Sequence, residues 1–359
     1  MNPFQMKAMP IDRTFQNWCQ MYPKAYDKNE TDPYTKCRII LMNGTEFEAV
    51  WFSHQFQRHC PNNDLRRELA LTRRIEQQQQ KKISNLKPID ESTLESTISY
   101  EQLAVDLTAA LAKMEKDMHV KSALDFALLE DFDHLYRYAN LLEMESGILA
   151  EKLVGGYTEI MPARPTIANH RDPFESVNHD TNYKTAALQT KLNIGIITAA
   201  EQQTMNFYMN VGAFYTSDLG RRLYQEIGMV EEQHVSEYGS LMDTTSTWLE
   251  SLLLHEYTEC YLYYSCYQTE THPEVKCVWE QCFEQELTHL HKAAQLLQKY
   301  EGKDWCQVIP DGKFPSVLTL GSNIDYVRDV LAATVNITKC RKYDDVLIIN
   351  ASEYFEKGK

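Results

Sequence analysis

One spacing of glutamate and histidine occurs twice in this chain of 359 residues. In each copy, a glutamate is followed thirty positions later by Glu-x-x-His, and the two copies lie 55 positions apart. Their members are Glu201, Glu231 and His234 in the first copy, and Glu256, Glu286 and His289 in the second. Because residues i and i+3 share one face of a helix, each Glu-x-x-His can direct two ligands at one point. The spacing predicts helical hairpins that carry metal-ligating side chains on facing surfaces.

A third and weaker copy lies 100 positions upstream of the first. It consists of Glu101, Asp131 and His134, and Glu130 competes with Asp131 for the acidic position. An aspartate is one methylene shorter than the glutamate at the same place in the other copies. This copy is therefore a second choice for the metal ligands.

The apolar residues repeat at helical spacing and predict a mainly α fold with three helical hairpins, over residues 92–154, 194–242 and 247–300. A long connection at 155–193, rich in Pro, Asn and His, separates the first two hairpins. We divide the chain into an N-terminal extension at 1–90, a helical bundle at 91–300 and a C-terminal extension at 301–359.

The two extensions carry their own local signals. Asn43-Gly44 stands between two β-prone runs and predicts a small β-hairpin, because both central residues of such a turn need positive φ. A helix is expected to follow it in the N-terminal extension. The C-terminal extension looks mixed, with a helix over Ile324–Ala333 that Asn323 could cap and a short β-like run at Asp345–Asn350.

Charge and cysteine usage exclude several classes of function. A net charge of −15 argues against nucleic acid as a partner, since a phosphate backbone would be repelled. No run of eighteen apolar residues predicts a membrane segment, and the polar start has no signal-peptide core, so we expect a cytoplasmic protein. The nine cysteines include no Cys-x-x-Cys pair, so no zinc ribbon or rubredoxin-type iron site is expected.

Residues 198–300, just over a quarter of the chain, resemble the ferritin-like, rubrerythrin-like di-iron carboxylate proteins. The resemblance rests on Ala200-Glu201-Gln202, on Arg222 to Ile227, and on the two Glu-x-x-His motifs. It implies a ferritin-like helical bundle that holds two iron ions, or iron and manganese. The ligands that it implies are Glu201, Glu231, His234, Glu256, Glu286 and His289. The four-cysteine module of complete rubrerythrins has no counterpart here.

The function that we expect is that of a non-haem di-metal oxidoreductase or peroxidase-like enzyme. Its oxidant would be O2 or peroxide, and its electron donor is not identified by the sequence. An iron-storage protein would use the same ligands, and a metal-free helical scaffold would use the repeats only for packing. A homodimer is left open.

Two pairings of hairpins could build the site. The identity of the residues favours hairpin 194–242 with hairpin 247–300, because both carry Glu-x-x-His. The order of the chain favours hairpin 92–154 with hairpin 194–242, because ferritin-like bundles join their two hairpins by a long crossover such as 155–193. We favour the first pairing; a second site is a further alternative.

Overall fold

The structure is a computed structural model that describes residues 1–162, 172–182 and 184–340, with side chains as far as 333. Every regular element in these residues is helical. The α-helices are α1 (Pro33–His59), α2 (Asn63–Ser84), α3 (Thr93–Met114), α4 (Met118–Ser146), α5 (Ala150–Leu153), α6 (Leu188–Phe214), α7 (Asp218–Gly239), α8 (Trp248–Thr269), α9 (Pro273–Glu301) and α10 (Ile324–Cys340). Short 3-10 helices lie at Pro3–Gln5, Ile11–Arg13, Trp18–Met21 and Trp305–Gln307.

The mainly α fold class is confirmed, but the β-hairpin predicted at Asn43-Gly44 is wrong. Helix α1 begins at Pro33 after an Asp32 side-chain cap and runs through both residues to His59. Gly44 has a packing role there: a Cβ atom on it would lie 2.6 Å from the Gln203 Cβ of helix α6. The glycine therefore permits a close helix crossing, and tertiary packing overrides the local turn signal.

Four long antiparallel hairpins make up the body of the described structure: α1–α2, α3–α4, α6–α7 and α8–α9. The inner two hairpins in chain order, α3–α4 and α6–α7, pack together as one four-helix unit, here called the first bundle. The outer two, α1–α2 and α8–α9, pack together as the second bundle. The predicted N-terminal extension thus supplies half of the second bundle.

The two bundles meet mainly where α1 crosses α6. A buried glutamate at the turn of one hairpin in each bundle binds the start of the neighbouring hairpin. Glu115, after α3, accepts hydrogen bonds from Thr190 (2.7 Å) and Asn193 (2.8 Å) near the start of α6. Glu270, after α8, accepts one from Thr35 of α1 at 2.5 Å. The two bundles are therefore assembled in a similar way.

The terminal segments pack onto this body. The N-terminal segment lies along α9, where Gln285 donates a hydrogen bond to the Thr14 carbonyl at 2.7 Å. The predicted C-terminal helix is present as α10, which begins at Ile324 and packs against α4. The β-like run predicted at Asp345–Asn350 lies outside the described residues. None of the helices in the described residues has the length and apolar character needed to cross a membrane.

Candidate metal centres

Six ligand-type side chains meet inside the first bundle, and we call them the first cluster. They come from α3 and α4 (Glu101, Asp131, His134) and from α6 and α7 (Glu201, Glu231, His234), and each is at most 1% exposed. Each hairpin contributes one glutamate from its first helix and an acid with a histidine three positions later from its second. This helical spacing places both side chains of each pair on the inner face.

The first cluster contains two overlapping sets of ligands. Potential ligand atoms of Asp131, Glu201, Glu231 and His234 lie within 4.8 Å of one another, and so do those of Glu101, His134 and Glu231. Glu231 belongs to both sets. It lies 2.9 Å from His134 Nδ1 through Oε1 and 3.4 Å from His234 Nδ1 through Oε2. One carboxylate between two ligand sets is the arrangement that bridges a pair of metal ions.

The orientation of His234 is fixed by a residue behind it. The Nε2 atom of His234 lies 2.7 Å from Glu130 Oε2, which leaves Nδ1 facing Asp131, Glu201 and Glu231. Metal-ligating histidines usually pair their second nitrogen with a carboxylate or a carbonyl in this way. Glu130, the residue that competed with Asp131 in the sequence, therefore supports the histidine, and Asp131 faces the cluster.

Several atoms of the first cluster lack a hydrogen-bond partner. They include Glu101 Oε2, Asp131 Oδ1, both carboxylate oxygens of Glu201 and Glu231 Oε2. In the described residues, Asp131, Glu201 and Glu231 form ion-pair contacts with histidine alone, Glu101 forms none, and no Lys or Arg neutralises the four carboxylates. Since a buried, unpaired carboxylate is costly, the donor set fits a bound cation.

The pKa values of these carboxyl groups reflect the same cost of burying a negative charge. Burial, followed by the charge of Glu231, raises the pKa of Glu101 well above its usual range, and burial with Glu201 does the same to the pKa of Asp131. Burial also raises the pKa of Glu201 to about 7. These directions mean that the cation-free cluster retains protons that a bound cation would displace.

The two histidines of the first cluster differ in their protonation. Burial and then His234 lower the pKa of His134 to about 4, so His134 is neutral at pH 7. Burial alone would lower the pKa of His234, but hydrogen bonds to Glu130, Glu201 and Glu231 raise it. A metal ligand must present a deprotonated nitrogen, so His134 is ready to bind and His234 must release a proton.

A second group of buried ligand-type side chains lies inside the second bundle, and we call it the second cluster. Its members are Glu46 on α1, Glu76 on α2, Glu256 and Glu259 on α8, and Glu286 and His289 on α9, none of them more than 3% exposed. It too contains two overlapping sets, which share Glu76. These sets are Glu76, Glu256, Glu286 and His289, and Glu46, Glu76 and Glu259.

The contacts of the two clusters match when α8–α9 is compared with α6–α7, and α1–α2 with α3–α4. His289 Nδ1 lies 3.2 Å from Glu286 Oε2, as His234 Nδ1 lies 3.4 Å from Glu231 Oε2. Gln79 Nε2 lies 2.5 Å from Glu286 Oε1, as His134 Nδ1 lies 2.9 Å from Glu231 Oε1. In each cluster, a tyrosine seven positions after a ligand glutamate donates a hydrogen bond to a glutamate of the other hairpin. These contacts are Tyr208 to Glu101 and Tyr263 to Glu46.

The sequence prediction missed Glu46, Glu76 and Glu259. A signal for two of them exists, because Glu46 and Glu76 are also thirty positions apart. The motif that starts at Glu76 ends in Gln79 instead of histidine, and Glu46 fell within the segment predicted as a β-hairpin. With this copy, all four hairpins carry the same spacing.

The six favoured ligands do not come together at one place. Glu201, Glu231 and His234 lie in the first cluster, whereas Glu256, Glu286 and His289 lie in the second. The favoured pairing of hairpin 194–242 with hairpin 247–300 is thus corrected: in the described structure, 194–242 packs with 92–154. The second-choice residues Glu101, Asp131 and His134 complete the first cluster, and Glu130 stands behind His234.

Buried carboxylate and histidine clusters that could hold metal ions are therefore a property of this fold. Comparison with family models, with curated proteins and with solved structures gives no match for the chain. What the clusters bind and do must be inferred from their own geometry.

Proposed function

We propose that the first cluster is a di-iron centre and that the protein is a non-haem oxidoreductase acting on O2 or peroxide. The observation that carries the proposal is the shared carboxylate of Glu231 between two ligand sets that each include one imidazole. Iron accepts mixed oxygen and imidazole ligation. Two ferrous ions held there would supply the two electrons that reduce one peroxide to two waters, with two protons taken from solvent.

The charge of the donor set supports two divalent ions. The first cluster holds the four carboxylates of Glu101, Asp131, Glu201 and Glu231. When all four are ionised and both histidines are neutral, the four negative charges of the ligands match two dications, and the buried Glu130 behind His234 adds a fifth carboxylate to the same region. A single cation would leave a buried net charge, which the surrounding apolar bundle penalises.

The residues of the chain hold this centre in place. Glu130 orients His234, the Tyr208 hydroxyl donates to Glu101, and Thr108 donates to Asp131 at 3.3 Å. These contacts leave one oxygen each of Glu101 and Asp131 without a hydrogen-bond partner. Ligands placed on four helices, with supporting hydrogen bonds behind them, keep a site rigid during a change of metal charge.

The proposal is tested by anaerobic titration with Fe2+, followed by addition of a limiting amount of peroxide. We expect ferrous ions to be oxidised at about two per peroxide, together with visible absorption from ferric iron in a protein site. In a His289→Gln background, which removes the imidazole of the separate set at Glu76, Glu256 and Glu286, Glu231→Gln should abolish this reaction. Glu232→Gln in the same background, an exposed neighbour on the same helix, should not. Iron that binds without reacting with peroxide or O2 would contradict the oxidoreductase. A first cluster that binds no iron would contradict the centre itself.

A further inference from the structure

The second cluster differs from the first in the chemistry of its donors. By the correspondence of the hairpins, Glu76 takes the place of Asp131, so Gln79 takes the place of His134. Gln79 is fully buried, and its Nε2 donates to Glu286 Oε1 at 2.5 Å. An amide that is committed to a carboxylate in this way does not replace the imidazole as a nitrogen donor.

The second cluster has one imidazole fewer than the first and one additional carboxylate, on Glu259. Glu259 follows Glu256 by three positions on α8, and the corresponding position on α6, three after Glu201, is the buried Thr204. Neither carboxylate oxygen of Glu259 has a hydrogen-bond partner, and its side chain is fully buried. Glu46 Oε2 and Glu76 Oε2 are likewise buried without a partner. Three carboxylates therefore converge, each with an oxygen that nothing in the described structure satisfies.

The second cluster is more acidic than the first. It has five carboxylates and one imidazole, against four carboxylates and two imidazoles in the first cluster. Within the described residues, Glu76, Glu256 and Glu286 form ion pairs only with His289, and Glu46 and Glu259 form none. Arg73 and Lys292 line a cavity of about 10 Å³ beside Glu76, Glu256 and His289 but form no ion pair with the cluster. That cavity has room for about one water molecule, so the cluster cannot hold an organic substrate there.

We propose that the second cluster is a separate binding site for two divalent cations, and that its all-carboxylate half selects a hard ion such as Mn2+. That half consists of Glu46, Glu76 and Glu259; the other half, with His289, offers the mixed ligation that suits iron or manganese. Carboxylate oxygens suit manganese and magnesium, whereas imidazole favours the later transition metals. Glu76 joins the halves, so two bound ions are bridged by one carboxylate.

The test uses the full-length chain with the first cluster silenced by Glu201→Gln and Glu231→Gln, which remove the shared carboxylate and a second carboxylate ligand. Anaerobic titration with Mn2+ should then give about two ions per chain, and their spin coupling through Glu76 should appear in the electron paramagnetic resonance spectrum. Adding Glu259→Gln should reduce the count to about one and remove the coupling. Circular dichroism confirms that each variant is folded; if the double variant fails to fold, Glu231→Gln alone serves as the silencing change, because Glu231 belongs to both ligand sets.

A converse variant tests the selectivity. Gln79→His restores the imidazole that the first cluster has at the corresponding position, so it should shift the preference of the second cluster from Mn2+ toward Fe2+. Failure of the silenced protein to bind any Mn2+, or two coupled ions remaining after Glu259→Gln, would overturn the proposal. Neither result depends on whether the first cluster binds iron. Failure of this proposal can therefore be distinguished from failure of the proposed oxidoreductase function.

Discussion

Glu201→Gln should make the metal-free protein more stable, although it removes a ligand. Both oxygens of Glu201 are buried without a hydrogen-bond partner, and burial raises the pKa of its carboxyl from 4.5 to about 7. In an acid whose folded-state pKa is raised, the folded state binds the extra proton. Stability is therefore lost as pH rises from the unfolded value of 4.5 to the folded value of about 7.

A rise of this size costs the folded protein about 3 kcal/mol once the pH exceeds 7. A glutamine of the same shape carries no such cost, so at pH 8 in EDTA we expect Glu201→Gln to gain up to about 3 kcal/mol in the free energy of unfolding. Loss of the 3.6 Å contact with His234 Nδ1 reduces this gain. At pH 5 the difference should shrink to about 1 kcal/mol or less, because wild-type Glu201 then remains protonated.

Bound metal should reverse the order of stability, so that wild type becomes more stable than Glu201→Gln. At a hundredfold excess over its dissociation constant, a bound ion adds about 2.7 kcal/mol to wild type, and the variant loses this gain. The assay is urea denaturation at pH 5 and pH 8, with EDTA or with Fe2+ under anaerobic conditions, and Glu232→Gln is the exposed control. A variant that is less stable than wild type in EDTA at pH 8 would refute the reasoning that Glu201 is a carboxylate held for a cation.

Three further outcomes are expected. His134→Gln should lower the metal content of the first cluster alone, and His289→Gln should lower the metal content of the second cluster alone. Metal analysis of each variant checks this, and loss of metal from both clusters in either variant would contradict their independence. Gly44→Ala should lower the free energy of unfolding by about 1–3 kcal/mol in a denaturant titration, because the added Cβ would overlap Gln203. Gly195→Ala is the control: it has open space around it, so its free energy of unfolding should rise by about 0.5–1 kcal/mol. Apparent metal affinity should rise as the pH increases through about 7, because burial raises the pKa of Glu201 to about 7 and also raises the pKa values of Glu101 and Asp131, and these protons must leave when metal binds. An affinity that does not change with pH would count against displacement of these protons.

The sequence predicts the helical hairpins and most of the ligands because their spacing follows helical geometry directly. Glu231 and His234 must share a face whatever the tertiary structure is, so local pattern suffices to find them. The pairing of hairpins is a different question, since it depends on contacts between distant segments. The third copy looked weaker because Asp131 replaces a glutamate, yet its hairpin is the one that packs beside Glu201.

The error at Asn43-Gly44 has a related physical cause. A glycine in a sequence indicates either a backbone that needs positive φ or a place where another backbone comes close, and the local sequence does not distinguish these. At Gly44 the glycine is explained by the close approach of α6 and not by a turn. The mistaken hairpin concealed Glu46, so the fourth copy of the spacing, and with it the second bundle, was not predicted.

Anomalous diffraction from crystals of the protein loaded with Fe2+ under anaerobic conditions tests the central claim most directly. We expect two iron peaks on either side of Glu231, one near His134 and one near His234, and a separate iron peak beside His289 in the second bundle. Absence of metal from both clusters after anaerobic loading would contradict the claim that these buried carboxylates and histidines are held for cations.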